Sequence, residues 1–246
     1  MSDDDAIPAR REFLRKSLTL IPVVTLASTG LGSQAFAQVP ADKPAAAGVA
    51  MPAGDYKPSF FTPQEWAFVV AACDRLIPAD HVGPGAVELG VPEFLDRHLQ
   101  TPYANGAIWY MQGPFIEAPA EFGYQGRLNL RELIRIGIKA MDASCQKQFA
   151  GKVFAELSHG DQEALLKAAE GGKLELDGIS SKTFFSNLLN EVRNGYFADP
   201  SYGGNKNMGA WKMIGYPGMR ADYMDWITVR DKPYPLPPVD LSGKRG

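Results

Sequence analysis

The chain has 246 residues, 45% apolar and 22% charged, with 25 basic against 28 acidic side chains for a net charge of −3. These shares are ordinary for a globular protein that buries a core. A mildly acidic chain without basic blocks is not built to hold nucleic acid, and polybasic attachment to a membrane is equally unsupported.

Taken in chain order, the first readable element is an export signal. Arg10-Arg11-Glu12-Phe13-Leu14-Arg15-Lys16 is followed by an apolar stretch from Leu18 to Leu31 and then by Ala35-Phe36-Ala37. A charged start, a short apolar middle and a small-residue cleavage site mark a signal peptide over residues 1–37. Arg10 and Arg11 ahead of Phe13 and Leu14 match the twin-arginine pattern. The competing reading is an ordinary secretory signal that happens to carry Arg-Arg. The apolar run of about 14 residues falls short of the roughly 20 a spanning helix needs. Cleavage is expected after Ala37, with Ala35 as the other small residue. The pathway carries proteins that fold before crossing, often around a cofactor.

Residues 38–58, rich in Ala, Pro, Gly and Val, are expected to form a flexible linker. A single domain is expected over residues 59–246. Its order begins at Thr62-Pro63-Gln64-Glu65, a capping box with Pro in the first turn. Trp66, Val69, Val70, Cys73 and Ile77 recur at helical spacing until Pro78. The loop Pro78–Gly85 is too rich in Gly and Pro for regular structure. Val91-Pro92 opens a short helix through Leu99. Residues 101–127 read as an aromatic connection carrying Tyr103, Trp109, Tyr110, Phe115, Phe122 and Tyr124. The longest helical pattern runs from about Leu130 to Leu157. Ser158 caps a further helix that Gly171-Gly172 stops, and Ser180 or Ser181 starts another that buries Phe184, Phe185, Leu188, Leu189 and Val192. No run of alternating strands occurs. The fold class is mainly α: an irregular helical bundle with long loops rich in Gly, Pro and aromatic residues, and little or no β.

The chemistry of catalysis and cofactor binding is missing from this pattern. No Cys-x-x-Cys-His or iron–sulfur cysteine set is present, and no Gly-x-Gly-x-x-Gly follows a strand. Gly204–Gly209 is a near miss to a phosphate loop, with Ala210-Trp211 where the lysine should follow. His81, His98 and His159 are scattered. His81 beside Asp80 offers an acid–base or metal pair, and a self-sufficient exported enzyme or ligand-binding protein using that loop is the rival reading. Glu88 and Glu93 read as solvated carboxylates. Cys73 and Cys145 fall in the exported part, where an oxidising compartment permits a disulfide. A bond between them is the favoured expectation and two buried thiols the alternative.

The most distinctive segment lies near the C-terminus. Phe197-Ala198-Asp199-Pro200-Ser201-Tyr202-Gly203-Gly204-Asn205 precedes Trp211-Lys212-Met213-Ile214-Gly215-Tyr216-Pro217-Gly218. It reads as an elaborate ordered loop, its side chains suited either to a partner surface or to packing on their own domain. This segment resembles the signature of the gluconate 2-dehydrogenase subunit 3 family. Leu76–Asp80, Gly83–Ala86 and Gly90–Phe94 resemble that family's other block, and the likeness spans the whole exported chain.

The resemblance implies the small, non-catalytic subunit of a membrane-associated dehydrogenase. In such complexes a large subunit carries FAD and a multihaem cytochrome c subunit passes electrons onward, so no cofactor, metal or catalytic residue is expected in this chain. The small subunit resembles an escort that takes the folded flavin subunit through the twin-arginine translocase. The location implied is the periplasm, peripheral to the inner membrane through partners alone, with gluconate as the leading substrate among gluconate, sorbitol, fructose and glucose. Segments 78–94 and 196–218, with aromatics from 103–124, are expected to form the partner surface. Asp80, Pro84, Phe197, Asp199, Pro200, Tyr202, Gly203, Gly204, Asn205, Trp211, Tyr216 and Pro217 are its candidate residues.

Overall fold

The computed structural model describes residues 56–116, 118–221 and 224–246. The export-signal residues Arg10, Arg11, Phe13, Leu14, Ala35 and Ala37, and the linker up to residue 55, lie outside the described residues. The described residues hold six α-helices: α1 (Pro63–Leu76), α2 (Val91–His98), α3 (Leu130–Gln148), α4 (His159–Glu170), α5 (Ser181–Phe197) and α6 (Gly209–Ile214). No β-strand forms among them, and pairing is limited to isolated bridges at Val239. The mainly helical expectation holds. No described helix is long and apolar enough to cross a membrane.

Local sequence explains where each helix starts. Thr62 and Glu65 exchange reciprocal hydrogen bonds at the start of α1, and Asn129 and Glu132 do the same for α3. Ser158 and Ser180 accept from the backbone N–H groups of Asp161 and Thr183 to open α4 and α5. Each such cap contributes about 1 kcal/mol. Helix α5 is the hub, packing against α1, α2, α3, α4 and α6. The rings of Phe68, Phe154 and Phe184 meet at the centre, with centroids 4.7 Å apart for Phe68–Phe154 and 6.2 Å for Phe68–Phe184. All three are fully buried. Burial of such a side chain is worth about 1.5–3 kcal/mol.

Two sequence expectations are corrected here. The long pattern of Leu130–Leu157 is not one helix. Helix α3 ends at Gln148, Ala150 and Gly151 take positive φ of 52° and 85°, and Phe154 and Leu157 reach the core from a 3₁₀ turn over Phe154–Glu156. Asp142 secures that turn by accepting from the Phe154 N–H at 3.0 Å, while Gln64 of α1 donates to its other oxygen. The expected Cys73–Cys145 disulfide is not formed. Both are free, buried thiols on the inner faces of α1 and α3. Burial pushes both thiols up, Cys145 to about 12, so each behaves as a small hydrophobe.

The described chain is fastened at its start by Asp96 of α2, which is fully buried. Its two oxygens accept from the Tyr56 and Ser59 hydroxyls and from the N–H groups of Ser59, Phe60 and Phe61, at 2.7–3.1 Å. Burial alone raises a carboxyl, but these donors outweigh it and hold Asp96 below the usual carboxylate range.

Candidate functional site

The two distinctive sequence blocks, residues 76–94 and 197–218, fold into one interlocked unit. Helix α5 ends at Phe197, and the chain then makes two 3₁₀ turns before α6. Asn205 organises these turns from a fully buried position. Its Oδ1 accepts from the Ala210 N–H at 2.9 Å, and its Nδ2 donates to the Ala198 carbonyl at 3.0 Å. Asn205, Asn207 and Met208 all carry positive φ, between 43° and 57°. Three such residues in one turn are costly unless the surroundings hold them.

Contacts across the two blocks supply that hold. The Lys206 N–H donates to the Leu89 carbonyl at 3.0 Å, and its Nζ lies 2.6 Å from Glu93. Arg97 reaches the other oxygen of Glu93 at 2.5 Å. Glu93 is therefore a buried carboxylate between two cations, not the solvated one its spacing suggested. The Tyr196 hydroxyl donates to the Pro84 carbonyl at 2.8 Å, and Trp211 Nε1 donates to the Phe197 carbonyl at 2.9 Å. Gly204 lies on Gly195 backbone to backbone, so closely that a Cβ at 204 would overlap the Gly195 carbonyl. A Cβ at Gly195 would meet the Phe94 ring at 2.6 Å.

The C-terminal tail closes over this unit. Asp199 accepts from the Ser201 N–H at 3.0 Å and from the Leu241 N–H at 2.8 Å. Val239 bridges Gly218, with the Met219 N–H donating to the Val239 carbonyl at 2.7 Å.

The expected site residues thus divide by location. Asp199, Gly203, Gly204, Asn205 and Trp211 are buried and build the unit, whereas Pro84, Phe197, Pro200 and Pro217 are half-buried at its margin. Tyr202, Tyr216 and Asp80 are exposed. Asp80 spends its carboxylate on its own loop, accepting from the Val82 and Gly83 N–H groups at 2.7 and 3.2 Å. Large apolar side chains stand exposed on the same unit and tail: Val82, Ile214, Met219, Leu236 and Leu241. No three His, Cys, Asp or Glu side chains converge to hold a metal among the described residues.

A pairing with no sequence signal lies beside the unit. His98 Nε2 of α2 sits 3.3 Å from Glu191 Oε2 of α5. Burial raises Glu191 to about 7, against the single hydrogen bond from Asn194, and burial also lowers His98. Burial thus disfavours the charged form of each, and the two atoms are out of line for a hydrogen bond. His98 stacks on Phe94 and touches Tyr103, which meets the edge of Trp109.

Against known proteins, the family described as gluconate 2-dehydrogenase subunit 3 matches residues 63–218. No curated protein and no solved structure matches the chain. The matched span runs from the first residue of α1 to the glycine bridged by the tail, and so covers the interlocked unit whole.

Proposed function

The chain belongs to the gluconate 2-dehydrogenase subunit 3 family, and from that premise we propose that it is the non-catalytic small subunit of an exported FAD-dependent dehydrogenase, escorting and stabilising the flavin subunit. FAD and haem c would be carried by the partners, a large flavin subunit and a multihaem cytochrome c subunit. The complex would work in the periplasm, held at the inner membrane through those partners, on gluconate or a related sugar or polyol.

The observation that carries this reading is the contrast between base and rim in the interlocked unit. Its polar groups are spent internally on Asn205, Asp199, Glu93 and Trp211. Its rim presents Tyr202, Tyr216, Ile214 and Met219, exposed by 43–57%. A rigid base with exposed aromatic, aliphatic and methionine side chains suits a protein–protein interface better than catalysis. An obligate contact of this kind often buries more than about 2,000 Å².

The twin-arginine pattern at Arg10 and Arg11 supplies the escort half of the reading. A signal made for folded cargo, on a chain without a cofactor motif, makes sense when the cofactor travels in a bound partner. Replacing Arg10-Arg11 with Lys-Lys is expected to strand the flavin subunit in the cytoplasm, measured by fractionation and by periplasmic dehydrogenase activity. Normal periplasmic activity in that strain overturns the escort role.

A further inference from the structure

The tail beyond Gly218 carries a folded hook of its own. From Pro238 to Gly246 the chain doubles back, with Val239 bridging Arg245 and the Gly246 N–H donating to the Pro238 carbonyl at 2.9 Å. Asp240 holds the bend from a buried position. Its Oδ1 accepts from the Ser242 and Lys244 N–H groups at 2.9 Å each and from the Ser242 hydroxyl at 2.7 Å. Its own N–H donates to the Lys244 carbonyl at 3.0 Å. These bonds all lie within the hook, so they persist when it moves as a whole. The start of the tail is tied to it as well. The Met219 N–H reaches the Val239 carbonyl, and Arg220 donates to the Pro237 carbonyl through Nε and Nη2 at 3.1 and 2.8 Å.

The hook rests on a part of the interlocked unit that the bundle core does not reach. The Val239 N–H donates to the Pro217 carbonyl at 3.2 Å, and the Leu241 N–H donates to Asp199. Gly246 lies so close to α6 that a Cβ on it would stand 3.0 Å from both Met208 Sδ and Lys212 Cε. A Cβ at Gly218 would stand 2.2 Å from the Val239 carbonyl and 3.0 Å from the Trp211 ring. Met208 and Trp211 are only 2% and 4% exposed, yet neither belongs to the contiguous core around Phe68, Phe154 and Phe184. What they hold in turn is local. Met208 closes the left-handed turn that begins at Asn205. Trp211 meets the Tyr216 ring edge-on at 5.2 Å and accepts the Tyr216 N–H at 2.9 Å.

We propose that the tail is a strap. Closed over Met208 and Trp211, it holds the 205–208 turn and the exposed Tyr216 in place, and it opens as a unit about Gly218 while the helical bundle stays folded. Three physical arguments support this. A turn with positive φ at Asn205, Asn207 and Met208 persists only where its surroundings hold it, and the hook covers it on the side away from the bundle. Opening breaks the bonds to Pro217 and Asp199 but leaves the hook's own set intact, so the strap leaves and reseats without refolding. Gly218, at φ of 73°, gives the pivot its backbone freedom. The strap goes beyond the small-subunit reading and does not need it: the shape of the rim depends on the tail whatever docks there.

Hydrogen exchange of the purified full chain, read by mass spectrometry, tests it. Two full-length variants open the strap in different ways. Asp240→Ala removes bonds that lie within the hook, and Gly218→Ala sets a methyl group against the Val239 carbonyl. In each, peptides covering 205–216 and 239–246 are expected to exchange together, about tenfold or more faster than in the parent. Peptides of α1 and α3 are expected to keep the parent's protection. The proposal is overturned if 239–246 exchanges faster while 205–216 does not, because the turn then stands without the strap. It is also overturned if both variants exchange like the parent. Equal acceleration in α1 and α3 overturns it too, because the tail is then part of the global fold.

Discussion

The interlocked unit and the aromatic connection are both rich in glycine and aromatic residues, yet they use them in opposite ways. Around residues 195–211 the glycines permit backbone contact, and the aromatic residues Tyr196 and Trp211 are buried with their polar atoms satisfied. Around residues 103–124 the aromatic residues are exposed, and Gly123 has open space beside it. Composition alone does not separate the two. What separates them is the supply of internal hydrogen-bond partners: Asn205, Asp199 and Lys206 bind their own backbone or a neighbouring helix. The connection has few such anchors, and its aromatic side chains stand exposed.

The most direct way to break this comparison is to place a methyl group in each region. Gly204→Ala forces the 198–205 turn off the end of α5, because its Cβ has no room above Gly195. The expected loss is about 3 kcal/mol or more. Gly123→Ala meets nothing within 4 Å and suffers only its positive φ of 72°. Its expected cost is about 1 kcal/mol. Urea unfolding of both variants measures the difference, and equal losses would erase the distinction between the regions.

Much of the helical fold could be read beforehand, and the exceptions share a physical cause. Thr62, Ser158 and Ser180 announced their helices because capping is local chemistry, completed within three residues. The overrun of α3 to Leu157 came from Phe149, Val153 and Leu157, which keep apolar spacing through the break at Ala150-Gly151. Apolar spacing records which residues are buried, not whether the helix between them is continuous. Glu93 looked solvated because Lys206, one of its partners, lies on a different block of the chain. The facing of His98 and Glu191 was equally hidden, since α2 and α5 meet only in the folded protein. The candidate residues near 200 were visible as a motif. Which of them are buried depended on α6, a six-residue helix whose only sequence mark was the stretch before Gly215.

A smaller effect sharpens the comparison on the side of the ordered unit. Asp96 receives five donors, so Asp96→Ala leaves several buried N–H groups unpaired and is expected to cost about 2–3 kcal/mol at neutral pH. The sign of the pH dependence follows from its depressed folded-state pKa. The contribution is present above the pKa of the unfolded chain and is lost as pH falls through the folded value. Parent and variant stabilities should therefore converge on acidification. A gap that stays constant down to pH 2.5 would show that the carboxylate charge is not what the donors hold.

The smallest effect falls at Glu191 of α5, whose Oε2 faces His98 Nε2 of α2 at 3.3 Å. Burial raises its folded-state pKa from 4.5 to about 7. A raised carboxyl favours folding most when both states are protonated, so its contribution is complete below the unfolded value near 4.5 and declines as pH rises through about 7. Above that pH the native protein carries a buried anion whose Oε2 has no hydrogen bond. Glu191→Gln keeps the shape and removes the anion. The variant is expected to match the parent near pH 4.5 and to exceed it by about 1 kcal/mol at pH 8. His98 pulls the other way: burial lowers its pKa, so its own contribution grows as pH rises toward the ordinary imidazole value. The difference between variant and parent, followed by urea midpoints from pH 4.5 to 8, cancels most of what the histidine contributes and isolates the carboxyl. A difference that stays flat across the window would mean that Glu191 is ionised throughout, held by a protonated His98.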